Sequence, residues 1–157
     1  MKIEEAIQQQ HFQNEFHKAQ INLLFTASWM QQLAGHILKD LHITWQQFNI
    51  LRILKGRYPQ PATVTLLGER MIDKMSNASR LVEKLRKKGL VARNTCPNDR
   101  RRVDVSITPK GLAIVKNASL IMEQEMEKTF GAISEAEAKV LNNILDKIRE
   151  EYGFLKN

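Results

Sequence analysis

Near the start of the chain, apolar residues recur every three or four positions, a spacing that predicts one long amphipathic helix over residues 5–39. A helix of this length is unusual in a small protein, and its apolar stripe needs another long helix or a second chain to cover it. Thr108 and Pro109 start a second long helix that ends at Gly131, and a capping box at 134–137 opens the last helix. The residues expected to face inward on that last helix are Val140, Leu141, Ile144, Leu145 and Ile148.

Start and stop signals predict shorter helices in the middle of the chain. The first opens at a capping box over residues 44–47 and ends near Gly56. After a loop at 60–62, either Thr63 or Thr65 caps a second, shorter helix. These two helices precede the most informative segment of the sequence.

The segment from Ser76 to Lys88 predicts a strongly two-sided helix that stops before Gly89. At 100° per residue, its apolar residues fall in one narrow arc, and the opposite arc is polar and basic. The apolar residues are Ala78, Leu81, Val82 and Leu85. Such a helix packs on a core with one face and offers cations to a partner with the other.

Two short strands follow this helix. Residues 90–95 form the first, and in the second Val103, Val105 and Ile107 alternate with polar residues. Between them, residues 97–102 read as a turn that carries three arginines. The pattern as a whole predicts a mainly α protein with a small β-hairpin wing (α+β).

The positive charge of the chain is concentrated in this middle part. Residues 44–110 contain 15 Lys and Arg against 5 Asp and Glu, whereas the flanks contain 9 against 12. The net charge of +10 in one segment is the pattern expected for a polyanion partner.

A short helix, a tight turn, an amphipathic helix and a basic hairpin in this order predict a winged helix-turn-helix that binds double-stranded DNA. Short polar side chains at the start of the second helix suit base edges in the major groove, and long cations suit flanking phosphates. The candidate contacts on this helix are Ser76, Asn77, Ser79, Arg80, Lys84 and Lys87. An arginine at the hairpin tip suits a narrow minor groove.

The stretches MSNASRLVEKLRKKGLVAR and DRRRVDVSITPKG resemble the MarR family of bacterial regulators, and the resemblance extends over nearly the whole chain. It implies that Asp99 orients Arg101 through an ion pair, that Arg101 enters the minor groove, and that Arg100 and Arg102 share the wing. It also implies a homodimer held by the first, penultimate and last helices. Two recognition helices would then read a pseudo-palindromic operator.

The expected organisation is a single domain over 1–157. Residues 44–110 form the winged helix-turn-helix lobe, and residues 5–40 and 108–152 form a helical dimerisation region. No apolar run is long enough to cross a membrane and no secretory signal is visible, so we expect a cytoplasmic protein.

Motifs for catalysis, for cofactor binding and for metal binding are not found in the sequence. Phosphate loops, nucleophile elbows and paired-carboxylate signatures do not occur, so we expect no enzyme, no cofactor and no metal site. Cys96 is the only cysteine, which excludes an internal disulfide; a redox role is a minor alternative. Trp29, Met30 and Met122 are candidates to line an effector pocket, but the sequence names no ligand.

The function predicted is therefore a homodimeric, sequence-specific DNA-binding regulator, a repressor released by a small molecule or another signal. Two alternatives remain open at this point. One is a non-specific architectural DNA-binding protein, which would show steep salt dependence without sequence preference. The other is a winged helix that binds protein partners.

Overall fold

The computed structural model describes residues 1–96 and 99–151, except for the side chains of residues 95, 96, 99–102 and 151. The helices and strands are α1 (Ile3–Ala6), α2 (Glu15–Lys39), α3 (Trp45–Arg57), β1 (Ala62–Thr63), α4 (Val64–Arg70), α5 (Ala78–Lys87), β2 (Val91–Cys96), β3 (Asp99–Ile107), α6 (Pro109–Phe130) and α7 (Glu135–Glu151). The fold class predicted from the sequence, mainly α with a small β wing, is confirmed. Internal contacts divide the chain into two compact units, one over Met1–Ser119 and one that begins at Leu120.

The prediction of one unbroken helix over residues 5–39 is wrong at its start. The chain forms the short helix α1, and α2 begins only at Glu15. Gln8 has a left-handed backbone with φ of 54°, which ends helical geometry, and Asn14 caps the next helix by accepting the amide of His17 at 2.9 Å. An ion pair of 2.5 Å between Lys18 and Glu4 links the two helices.

The core of the first unit is built around α3. The capping box predicted at its start is confirmed, because Thr44 and Gln47 each accept the other's amide at 3.2 Å. The inner side of α3 is fully apolar apart from Gln47 and Asn49, and both of these are buried. Buried residues around α3 come from α2, α4, α5 and the sheet, and include Leu38, Leu67, Met71, Val82, Leu85 and Val105.

The sheet has three antiparallel strands in the order β1-β3-β2, one more than the predicted hairpin. Strand β1 lies partly where a loop was predicted, and it pairs Ala62 with Val105 and Thr63 with Asp104. Two residues are too few to show the alternation that marks a strand, so the pairing is set by β3 rather than by local sequence. In the hairpin, Val91 pairs with Ile107 and Arg93 with Val105.

Two glycines shape the passage from α5 to α6. Gly89 follows α5 with φ of 71°, the left-handed conformation expected after a helix end. Gly111 lies so close to the carbonyl of Leu90 that any Cβ at this position would clash with it. Thr108 closes the junction, because its hydroxyl donates to the carbonyl of Gly89 at 2.8 Å.

In the second unit, α6 ends before Gly131 and α7 starts at the predicted capping box. The amide of Ser134 donates to Glu137 at 2.7 Å, and the amide of Glu137 donates to the hydroxyl of Ser134 at 3.3 Å. The prediction that the apolar stripe of α7 faces inward is wrong for the single chain. Four of its residues are exposed in the described part of the chain: Val140, Leu141, Ile144 and Ile148. No helix in the described part of the chain is long and apolar enough to span a membrane.

Candidate nucleic-acid interface

The turn between α4 and α5 is held by the carboxylate of Asp73. One oxygen accepts the amide of Met75 at 3.0 Å, and the other accepts the hydroxyl of Ser76 at 2.7 Å. Met71, which precedes the turn, is almost completely buried. A buried anchor and two hydrogen bonds to one carboxylate therefore fix where α5 begins.

Helix α5 starts two residues later than predicted, because Asn77 is its N-cap. The Oδ1 atom of Asn77 accepts the amide of Arg80 at 2.9 Å. Ser76 lies in the turn and is half-buried, and its hydroxyl donates to Asp73. Ser76 and Asn77 therefore both form hydrogen bonds that fix the start of α5. The side chain of Asn77 is exposed, so its NH2 group can still donate to a ligand.

The two faces of α5 differ as the sequence predicted. Ala78, Val82 and Leu85 are buried. The candidate contact residues on the helix itself are all exposed: Ser79, Arg80, Lys84 and Lys87. Within the described ranges, the side chains of these four form no hydrogen bond or ion pair, so their polar groups are available to a ligand.

The guanidinium of Arg86 is not available in the same way. It donates through Nε and Nη2 to both oxygens of Glu83, at 3.0 and 2.8 Å. This hydrogen bond lowers the pKa of Glu83 below its ordinary value of 4.5, so Glu83 stays ionised and compensates the charge of Arg86. Glu83 therefore pairs with Arg86 and leaves Arg80 without an acidic neighbour on the helix.

Lys88, at the end of α5, turns back toward the protein. Its ammonium group donates to the carbonyl of His42 at 2.5 Å and to Oε1 of Gln47 at 3.0 Å. His42 has a left-handed backbone with φ of 54°. These partners lie more than 40 residues away in sequence, and only the tertiary structure reveals them.

The wing differs from the prediction in one respect. The backbone of residues 99–102 belongs to β3, so the arginines continue a strand where a turn was predicted. The side chains of Asp99, Arg100, Arg101 and Arg102 lie outside the described part of the structure, and the ion pair between Asp99 and Arg101 stays a prediction. The side chain of Cys96 lies outside it as well.

Sequence reasoning overlooked two exposed apolar residues at the entry to α5. Met75 is 92% exposed and Ile72 is 60% exposed. The sequence MIDKM at residues 71–75 indicates them, because it places large apolar residues in the connection between two predicted helices and not on the buried face of either helix. Both residues precede Asn77, the N-cap of α5, in the sequence.

The first unit also contains an open cleft of about 520 Å³ between α2 and the residues that lead into α3. The lining residues are Ser28, Gln31, Gln32, Gly35, Lys39, His42, Ile43, Thr44, Trp45 and Gln46. Trp29, Met30 and Met122, the residues suggested by the sequence, do not line it. Where side chains are described, no cluster of three or more His, Cys, Asp or Glu could hold a metal ion.

Comparisons with known proteins agree with this architecture. The model of the MarR family matches residues 43–103. The MarR transcription factor from Planctomyces limnophilus is 26% identical, with a TM-score of 0.66 over 87% of this chain and 98% of that chain. The S. aureus MepR–DNA complex is 20% identical, with a TM-score of 0.76 over 90% and 99%. The organohalide-sensing regulator RdhR, bound to 2,4-dichlorophenol, is 20% identical, with a TM-score of 0.79 over 88% and 81%.

Proposed function

Because the chain carries a MarR-family winged helix-turn-helix over residues 43–103, we propose that it is a sequence-specific transcriptional regulator that binds double-stranded DNA as a homodimer. The observation that carries this proposal is the outer face of α5. Its cations Arg80, Lys84 and Lys87 are exposed and their side chains are unpaired among the described residues, while its inner face is buried against the core. We place the regulator in the cytoplasm and assign it no enzymatic activity.

The residues proposed to contact DNA fall into two groups. On and before α5 they are Ser76, Asn77, Ser79, Arg80, Lys84 and Lys87, and on the wing they are Asp99, Arg100, Arg101 and Arg102. Arg80 lies in the first turn of α5 and is suited to a bidentate contact with guanine, whereas Lys84 and Lys87 suit phosphates. The solved MepR structure, a complex with DNA, supports a DNA partner for this fold.

A second copy of the chain is the proposed cover for the exposed apolar residues on α2 and α7. Phe16 is 87% exposed on α2, and Leu24 is also exposed. On α7, Val140, Ile144 and Ile148 repeat every four residues and so share one helix face. Exposed apolar helix faces mark sites of interaction with another molecule. A symmetric dimer would present two α5 helices to a pseudo-palindromic operator.

We propose the cleft beside α3 as the effector site and a repressor that the effector releases from DNA. His42 and Thr44 line the cleft and also belong to the network that holds Lys88 at the end of α5. A small molecule that displaces His42 and Thr44 would shift α5 and lower DNA affinity, provided that it binds the shifted conformation more tightly than the original one. The dichlorophenol-bound structure of RdhR supports effector binding in this fold.

The deciding experiment is binding of the purified protein to the DNA upstream of its own gene, against random competitor DNA, at two salt concentrations. A discrete complex that survives competitor supports a sequence-specific regulator. Binding that competitor removes equally well supports the architectural alternative. Absence of any DNA binding would refute both readings and leave a winged helix that binds protein partners.

A further inference from the structure

The exposed apolar residues of the winged helix-turn-helix lobe are concentrated at the entry to α5. In the described part of residues 44–110, the large hydrophobic side chains that are exposed are Tyr58, Ile72 and Met75. The other exposed apolar residues of the chain lie outside this lobe, mainly on α2, α6 and α7. Ile72 and Met75 therefore interrupt a surface that is otherwise polar and strongly basic.

Met75 lies in a turn that hydrogen bonds hold on both sides. Its amide donates to the carboxylate of Asp73 at 3.0 Å, and two residues later Asn77 caps α5. Its side chain is the most exposed large apolar side chain in the lobe, at 92%. A long, unbranched thioether can adapt to an apolar partner without a strict geometry.

The nucleic acid offers one apolar group at this place. When the start of a recognition helix lies in the major groove, the C5-methyl group of thymine is the apolar feature that distinguishes one base pair from the others. The exposed cations Lys84 and Lys87 further along α5 would hold the phosphates while Met75 meets the base edges.

We propose that Met75 is a specificity-determining residue that contacts the methyl group of a thymine in each half of the operator. This inference rests on the proposed function. It adds a thymine preference that depends on an apolar contact and not on hydrogen bonds. Removal of one methyl contact is expected to weaken binding about fourfold in each half-site.

The test replaces thymine by uracil, which lacks only the methyl group. The wild-type protein first selects its site from a random DNA library, and each thymine of that site is then replaced in turn. Binding is measured for the wild type, Met75→Ala, Met75→Leu and, as a matched exposed control in the same lobe, Tyr58→Ala. Thermal unfolding checks that each variant is folded.

At one thymine position, replacement by uracil should weaken the binding of the wild type, Met75→Leu and Tyr58→Ala about fourfold per half-site. The same replacement should leave the binding of Met75→Ala unchanged. If a site is selected but every uracil substitution weakens wild type and Met75→Ala equally, the inference is overturned and the proposed function stands. If the wild type selects no site at all, the proposed function fails and the inference fails with it.

Discussion

The ammonium group of Lys88 donates a hydrogen bond of 2.5 Å to the carbonyl of His42, although 46 residues separate the two in sequence. The contact ties the end of α5 to the segment that leads into α3. The same ammonium group reaches Gln47, whose side chain is buried and also completes the capping box of α3. Among the cations at the end of α5, Lys88 thus has a structural role that its neighbour Lys87 lacks in the described structure.

We predict that Lys88→Met lowers the free energy of unfolding by about 1 kcal/mol, since it removes two charge-assisted hydrogen bonds from a site that water can partly reach. Urea denaturation measures the change. The matched variant is Lys87→Met, which should leave stability unchanged and weaken DNA binding instead. Equal stability losses in both variants would contradict the assignment.

Arg80→Ala is predicted to weaken binding to the selected operator by about 1–3 kcal/mol and to relax the preference at one base position. The reason is the loss of an exposed guanidinium that has no acidic partner on α5. Fluorescence anisotropy with wild-type and single-base-variant DNA measures both effects. Lys116→Ala, an exposed cation on α6, should bind as wild type does; a loss as large as that of Arg80→Ala would point to general charge rather than a specific contact.

Asn77 allows capping and DNA binding to be separated. Asn77→Ala removes the N-cap of α5 and should cost about 1 kcal/mol of stability. Asn77→Asp keeps a capping oxygen and retains stability, but it places a negative charge on the surface proposed to face DNA and should weaken binding. Denaturation and anisotropy are measured on both variants. Retention of full DNA affinity in Asn77→Asp would exclude Asn77 from the interface.

Ile144→Asp is predicted to convert the proposed dimer into a monomer, because it introduces a charge in the middle of the apolar stripe of α7. Sedimentation equilibrium gives the oligomeric state, and a loss of the concentration dependence of Tm gives independent support. Asn143→Asp adds the same charge at the adjacent exposed position and should remain dimeric. A wild-type protein that is monomeric at all concentrations would refute the dimer.

The capping box of α7 predicts a stability change in acid. Hydrogen bonds from the amide and hydroxyl of Ser134 lower the pKa of Glu137 below its ordinary value of 4.5. The contribution is therefore fully present above pH 4.5 and is lost as the pH falls through the lowered pKa of the folded state. In thermal unfolding scans, the wild type should lose stability over this acidic range more steeply than Glu137→Gln. Parallel curves for the two proteins would refute the prediction.

Features that depend on neighbouring residues were predictable from the sequence, whereas those set by distant partners were not. The capping boxes at Thr44 and Ser134 and the two faces of α5 follow from local spacing, and the structure contains them. The contact between Lys88 and His42 depends on a fold that brings distant segments together. The prediction that the apolar stripe of α7 is buried within the chain was wrong, because periodicity identifies an apolar face without saying which molecule covers it.

Thr63 belongs to two elements at once. It pairs with Asp104 of β3 as part of β1, and its hydroxyl accepts the amide of Leu66 to start α4. The base of the wing and the first helix of the helix-turn-helix therefore cannot separate without breaking a strand pair or a helix cap. In a lobe linked in this way, the spacing between the wing and the helix-turn-helix is fixed. A DNA site whose grooves are spaced differently would have to bend or twist to fit. Part of its selectivity would then arise from DNA stiffness at base pairs that no side chain touches.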